Sequence, residues 1–210
     1  MSALDDKPIS VYNTSASDIP AFGIVQIDYT GGGSDYFDGV TYLKVTKPDT
    51  TYRFNSYLVA GRAGIKATSG GLAYFGTHGC VWALYDSSYS PTQGDVFGPG
   101  PSSHNLIGNF YGFRVVGKVE SASSVYRCLV KAETVTSVYG QLSGSLSYQS
   151  YATASVRRFV SAASQPDSSF TVTAYDGYLA SGKSLASGTR VALTEFGGKA
   201  VVTQSSACPS

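Results

Sequence analysis

The chain has little charge. Asp, Glu, Lys and Arg make up 14% of its 210 residues, against roughly 25% in an ordinary soluble domain. Fifteen basic and fourteen acidic residues leave a formal net charge of +1. That balance offers no electrostatic ground for a nucleic acid, an anionic membrane or an acidic polymer as partner. Strong helix formers are scarce as well: Glu occurs three times and Met once, which weighs against a helical fold. No run approaches the roughly 18 consecutive apolar residues of a membrane-crossing helix. The opening MSALDDKPIS lacks the basic leader and apolar stretch of a secretory signal, so synthesis and folding in a cytosol are expected.

Residues that usually carry chemistry are few. The cysteines are Cys80, Cys128 and Cys208, an odd set with no C-x-x-C pair, which indicates neither a zinc site nor a disulfide framework. Cys80 and Cys128 sit in apolar runs and are expected as small buried thiols. Cys208, close to the last residue, is expected to be exposed, and an intersubunit bridge through it stays open. His78 and His104 are the only histidines; each lies in loop-like sequence far from the other, a poor arrangement for a transition metal. No G-x-S-x-G elbow surrounds a serine, and Gly144-Ser145 lacks the strand–turn–helix setting of one.

Two pairs of aspartates bear on glycoside hydrolysis: Asp35 with Asp38, and Asp86 with Asp95. General acid work needs a buried carboxyl group close to its partner. All four stand beside Gly, Ser or Pro, where Asp makes turns. Calcium at Asp35 and Asp38 would call for a D-x-D-x-D-G series, which is missing. Gly31-Gly32-Gly33 has no following Lys-Ser/Thr and no helix signal, so it is not a phosphate cradle. Arg157-Arg158 reads as a solvated face or one intersubunit ion pair. No catalytic, cofactor-binding or metal-ligating residue is assigned on this reading, and no cofactor is expected.

What the chain does have is strand-forming sequence. Gly occurs 24 times and Tyr 16 times, among abundant Val, Thr and Ser. β-branched and aromatic residues suit a pleated, half-buried surface, and Gly supplies turns. The fold class expected is all-β, with a β-sandwich or β-barrel-like main domain and a small C-terminal β unit. Alternation marks strands at 23–29, with Val25, Ile27 and Tyr29 on one face, at 40–46, with Leu43 and Val45 inward, and at 51–59 with a break at Asn55-Ser56. Residues 79–85 form a nearly continuous apolar run. Residues 111–119 place Phe113, Val115 and Val119 together, with 125–132 as hairpin partner.

The interval 85–110 carries Pro91, Pro99 and Pro101 with Gly94, Gly98 and Gly100, which speaks against a regular central strand. It reads as a long surface excursion with one short strand near Asp95-Val96-Phe97, suited to recognition or to a stiff connection. Residues 133–165 are polar and weakly patterned; 152–163 is the best helix candidate, with Val156, Phe159 and Val160 on one face. Then 169–175 alternates, and 189–195 and 199–204 flank Phe196-Gly197-Gly198, a hairpin signal. The organisation expected is an N-terminal arm over 1–12, a main β domain over 13–132, a linker or arm over 133–165 and a small β-hairpin unit over 166–210. Tyrosine suits protein interfaces and sugar stacking alike. Tyr36, Phe37, Tyr85, Tyr89, Phe97, Tyr148 and Tyr151 lie in or beside loop-like stretches, where burial in a core is the competing explanation.

Three segments carry a resemblance. Asn13-Thr14-Ser15 followed by Ile19-Pro20-Ala21-Phe22-Gly23-Ile24-Val25-Gln26-Ile27, then Gly94-Asp95-Val96-Phe97-Gly98-Pro99, then Gly112-Phe113-Arg114-Val115-Val116-Gly117 resemble small virion-associated β proteins of tailed bacteriophages. The match covers roughly residues 11–120 and consists of turn-and-strand patterns. The resemblance implies a virion structural protein made in the host cytoplasm, most concretely a capsid decoration (cement) protein. A homo-oligomer, with a trimer favoured, would bind the major capsid protein or other virion proteins. The alternative it leaves is a tail, neck or fibre-associated protein that binds host receptor or surface glycan; a glycan-cleaving enzyme is a third class. It supplies no catalytic residues, and neither nucleic acid nor membrane is an expected partner.

Overall fold

A computed structural model describes residues 7–37, 40–122, 124–157 and 170–209; the side chains of Tyr36, Phe37 and Ala122 fall outside that description. Every regular element among the described residues is a β-strand. The chain divides into two compact units, Met1–Asp49 with Asn55–Thr134, and Thr50–Phe54 with Val135–Ser210.

The first unit contains two sheets. Strands β1 (Ile9–Asn13), β2 (Ile24–Ile27), β3 (Ser34–Phe37), β4 (Val40–Thr46), β5 (Tyr57–Ala60) and β6 (Gly70–Tyr74) lie in the order β1-β6-β5-β2-β4-β3. A parallel pairing of β1 with β4 joins five of them into a closed circuit. Inside it Val11, Ile19, Val25, Val45, Leu58, Ala60, Ile65 and Ala73 form the core, each large aliphatic side chain contributing about 1.5–3 kcal/mol by its burial. Strands β7 (Val81–Leu84), β8 (Val96–Pro99), β9 (Leu106–Gly108), β10 (Phe113–Ala122) and β11 (Val125–Ala132) make the second sheet, in the order β7-β11-β10-β8-β9. A parallel bridge from Tyr85 to Leu106 ties the end of β7 back to β9.

The second unit is one closed barrel. Its strands are β12 (Ser137–Leu142), β14 (Tyr151–Val156), β15 (Thr171–Asp176), β17 (Arg190–Phe196) and β18 (Lys199–Ser205), with the short pair β13 (Leu146–Ser147) and β16 (Ser184–Leu185) beside them. The circuit runs β12-β14-β15-β18-β17, with β15 and β18 parallel. Val138, Leu142, Ala154, Val156, Val172, Ala174, Leu193 and Val202 point inward and are buried. Tyr52 and Phe170, both buried, meet edge to face at 5.9 Å. That contact, with the bridge Thr51–Thr171, accounts for residues 50–54 belonging to this unit.

The all-β class holds, and β4 and β11 span 40–46 and 125–132 as read from alternation. Other expectations are corrected. Residues 133–165 are not a linker: their described part supplies β12, β13 and β14, two of which are barrel staves. The helix expected over 152–163 is replaced by β14 up to Val156, and residues 158–169 lie outside the described residues. The arm expected over 1–12 contributes β1 from Ile9 onward. Of the strand expected over 51–59, only Tyr57–Ala60 is a strand of this unit. The short strand expected near 95–97 is β8, but from it onward the 85–110 interval is not a surface excursion, since Phe97, Gly98, Pro99, Gly100, Leu106, Ile107 and Gly108 are buried and β8 lies between β10 and β9. Val119 leaves the face of Phe113 and Val115, because the β10–β11 register slips on both sides of Gly117. It is 42% exposed, the reorientation a β-bulge imposes.

Candidate functional site

The three most exposed aromatic side chains among the described residues, Tyr151, Tyr139 and Phe196, lie on the barrel of the second unit. Successive side chains of a strand point to opposite faces. With Ala152, Ala154 and Val156 inward on β14, and Val172 and Ala174 inward on β15, the outward positions are Tyr151, Thr153, Ser155, Thr171, Thr173 and Tyr175. Tyr151 stands directly opposite Tyr175, their ring centroids 5.8 Å apart and their planes inclined at 48°. On the parallel neighbour β18, the Lys199 ammonium lies 4.8 Å from the Tyr175 ring centroid, a cation–π contact. Lys199 in turn pairs with Phe196 across the Gly197-Gly198 turn. Tyr151, Tyr175, Lys199 and Phe196 thus form a strip across four strands of one barrel. Tyr151 is 69% and Phe196 61% exposed.

Asp176 holds the end of this strip. Its carboxylate accepts backbone N–H bonds from Gln149 at 2.8 Å, Leu179 at 2.9 Å and Tyr178 at 3.0 Å. Burial pushes its pKa up, but the bonds from Leu179, Gln149 and Tyr178 outweigh that and hold it below the ordinary value. The loop entering β14 and the loop leaving β15 are therefore tied to one carboxylate. Tyr148 and Tyr178, both partly exposed, stand in those loops.

The residues singled out from sequence land elsewhere. His78 is exposed, its Nδ1 3.0 Å from Thr77 Oγ1. His104 is half-buried, with Nδ1 2.8 Å from the Ile24 carbonyl; burial lowers its pKa, the bond to Ile24 raises it and Lys47 lowers it, for a net fall. Asp35 pairs with Lys44 at 3.1 Å, while Asp38 lies outside the described residues. Asp86 accepts from the Ser88 N–H and hydroxyl, and Asp95 from those of Thr92. In the loop of Gly31–Gly33, Asp28 accepts from Thr14, Thr30 and the Gly31 N–H, while Lys44 donates to the Gly31 carbonyl. Among the described residues no group of three or more His, Cys, Asp or Glu is placed to hold a metal.

Cys80, Cys128 and Cys208 are free thiols; Cys208 is exposed and Cys80 partly so. Cys128 is buried, and that burial pushes its thiol up to about 12. Arg157 is buried rather than solvated, and Arg158 lies outside the described residues. Of the aromatics expected at a recognition surface, Tyr85 and Phe97 are core residues, and Tyr89 packs edge to face on Phe97 at 5.8 Å. The side chains of Tyr36 and Phe37 are not described. Tyr148 and Tyr151 are exposed, and only Tyr151 joins the strip. Tyr175, Lys199 and Phe196 were missed, because strand register, invisible in one sequence, is what brings them to Tyr151.

Two residues in the segments behind the phage resemblance, Phe22 and Gly98, serve packing. Phe22 adopts a left-handed backbone (φ 62°), unusual for a bulky residue. Its ring meets the Arg127 guanidinium at 5.1 Å, and Trp82 meets the same group at 4.9 Å. A Cβ on Gly98 would come within 2.5 Å of the Phe110 ring and the Tyr111 carbonyl, so only glycine fits there. The chain matches no protein-family model, no curated protein and no solved structure.

Proposed function

We propose that this chain is a structural protein of a tailed-bacteriophage particle, made in the host cytoplasm, that decorates the assembled capsid as a homo-oligomer. A trimer is the favoured state, the major capsid protein the principal partner, and no catalysis is involved. The observation that carries the reading is the pairing of closed barrel circuits with sparsely charged outer faces that expose aromatic side chains. A closed circuit satisfies the backbone of its own strands and leaves few edges for strand addition. Lasting contact is then made by side chains, and Tyr139, Tyr151 and Phe196 each stand more than half exposed on the second unit. The turn-and-strand resemblance over residues 11–120 points the same way. Mechanistically, a protein that binds only the assembled shell stabilises it by linkage, by about 2.7 kcal/mol per site when free protein is 100 times its Kd. Several weak contacts per oligomer add through effective concentration.

Quantitative stoichiometry of purified particles tests the proposal. Hundreds of copies per particle, and co-sedimentation of the purified chain with stripped shells, are the expected results. A few to a dozen copies would move the chain to the tail, neck or fibre base, where glycan or receptor binding becomes the main role. Absence from particles would end both readings.

A further inference from the structure

The circuit of the second barrel is thinnest where β15 meets β18. Strand β15 pairs with β14 from Thr171 to Tyr175, but β18 joins its other edge only at Ala174, Tyr175 and Asp176. The start of that edge is met by Thr50–Phe54, which the run Asn55–Thr134 separates from the rest of the unit in sequence. We propose that Thr50–Phe54 is a latch, a strand lent from within the first unit's sequence that completes the second barrel and keeps it attached independently of the peptide bond between Thr134 and Val135. This goes beyond the decoration role and holds wherever the chain sits.

The latch is bonded as a strand and packed as part of a core. Thr51 bridges Thr171 in parallel. Thr171 donates its N–H to the Thr50 carbonyl at 2.9 Å, and its own carbonyl accepts the Tyr52 N–H at 2.9 Å. The strand edge that β18 does not reach is thereby satisfied from within the chain. Tyr52 is 2% exposed and Phe170 fully buried. Their rings meet edge to face at 5.9 Å, and Phe54 meets Tyr52 in the same way at 5.3 Å. Aromatic side chains so packed are among the larger single contributors to a core. Truncating Tyr52 therefore leaves a cavity against Phe170 as well as a weaker bridge.

Both ends of the latch are fastened in the first unit, to neighbouring residues of one strand. Before it, the Asp49 N–H donates at 3.1 Å to the side-chain carbonyl of Gln26, a buried residue of β2. After it, the Ser56 carbonyl accepts the Ile27 N–H at 2.9 Å. The Pro48 carbonyl is held as well, by the Ser102 N–H at 2.9 Å. Asn55 turns the chain with a left-handed backbone, φ 52°. A segment pinned at both ends meets its seat at high effective concentration and loses little further chain entropy in binding. That separates a latch from a loose loop. It also couples the units, because β2 cannot leave the first barrel without freeing the segment that completes the second.

The test uses the full-length chain with a protease recognition sequence inserted between Thr134, which is exposed, and Val135. After complete cutting, the 135–210 fragment should co-elute with the remainder in gel filtration at neutral pH. Tyr52→Ala should lower the retained fraction at least about threefold, through the cavity it opens. Tyr52→Phe, which keeps the ring, and Tyr139→Ala, at an exposed position of β12, should each lower it by less than that. Hydrogen exchange on the uncut parent reads the latch without any substitution, and so decides the matter where Tyr52→Ala fails to fold. The amides of Tyr52 and Thr171, one on each side of the bridge, should exchange within about tenfold of Val156, whose N–H bonds to the Phe170 carbonyl. Release of the fragment from the cut parent, a smaller loss in a folded Tyr52→Ala, or faster exchange at Tyr52 and Thr171 would each overturn the latch.

Discussion

Asp176 and His104 are part-buried groups whose protonation the fold controls in opposite ways. The Asp176 carboxylate is held low by three backbone donors. A group with a depressed folded pKa contributes stability that is complete above its unfolded value, near 4, and is lost as pH falls through the folded value. Asp176→Ala should therefore lower the unfolding midpoint of the second unit at neutral pH, at a cost of about 1 kcal/mol, since the site is partly solvated. Its disadvantage should vanish in acid, below the folded pKa. His104 is a base whose folded pKa is lowered, chiefly by burial. Below an unfolded value near 6.5 the unfolded chain binds the proton that the folded one refuses, so stability rises with pH up to about 6.5 and levels off above it. His104→Asn keeps a donor for the Ile24 carbonyl while removing the titration. Urea midpoints measured from pH 5 to 8 should slope for the parent chain and lie flatter for this variant; equal slopes would show that His104 is not the group responsible.

At the scale of elements, the β17–β18 hairpin turns on two residues that both carry positive φ, Gly197 at 56° and Gly198 at 79°. Two positive values in a two-residue loop match the turn whose twist suits paired strands, with Asn-Gly its preferred sequence. Gly197→Asn should leave the midpoint nearly unchanged, whereas Gly198→Val should cost about 1–2 kcal/mol, the penalty of a β-branched residue in the left-handed region. Thermal unfolding of the two variants side by side checks it. That hairpin was legible because glycine at a turn has one physical meaning. Strands β12 and β14 were not, for a reason visible in their residues. The inward positions are Val138, Gly140 and Leu142 on one, and Ala152, Ala154 and Val156 on the other. Small buried residues set against outward Tyr, Ser and Thr blur the apolar contrast on which alternation depends. The 85–110 interval misled in the opposite way. Gly98 is buried under Phe110 and Tyr111, and Gly108 under Tyr89, where side chains pack close to the backbone, and one sequence cannot separate close approach from a loop. The aromatic strip was half legible: Tyr151 stood out by type, while Tyr175, Lys199 and Phe196 join it only through register.

For the whole molecule, the near cancellation of fifteen basic and fourteen acidic residues shapes how any assembly should respond to its medium. Contacts made by Tyr, Phe and Thr depend on removing apolar surface from water, and salt screens them little. Contacts between charge patches weaken once the screening length falls from about 10 Å at 0.1 M to about 3 Å at 1 M. If the chain cements a shell through the exposed aromatic and hydroxyl side chains of its outer faces, the rise in the shell's heat-release temperature on adding the protein should be nearly the same at both ionic strengths. Sulfate, which strengthens apolar burial, should if anything enlarge it. Release of the protein at 1 M chloride, with loss of the added heat resistance, would instead assign the contact to the few charged pairs. The near-neutral composition would then have no part in assembly.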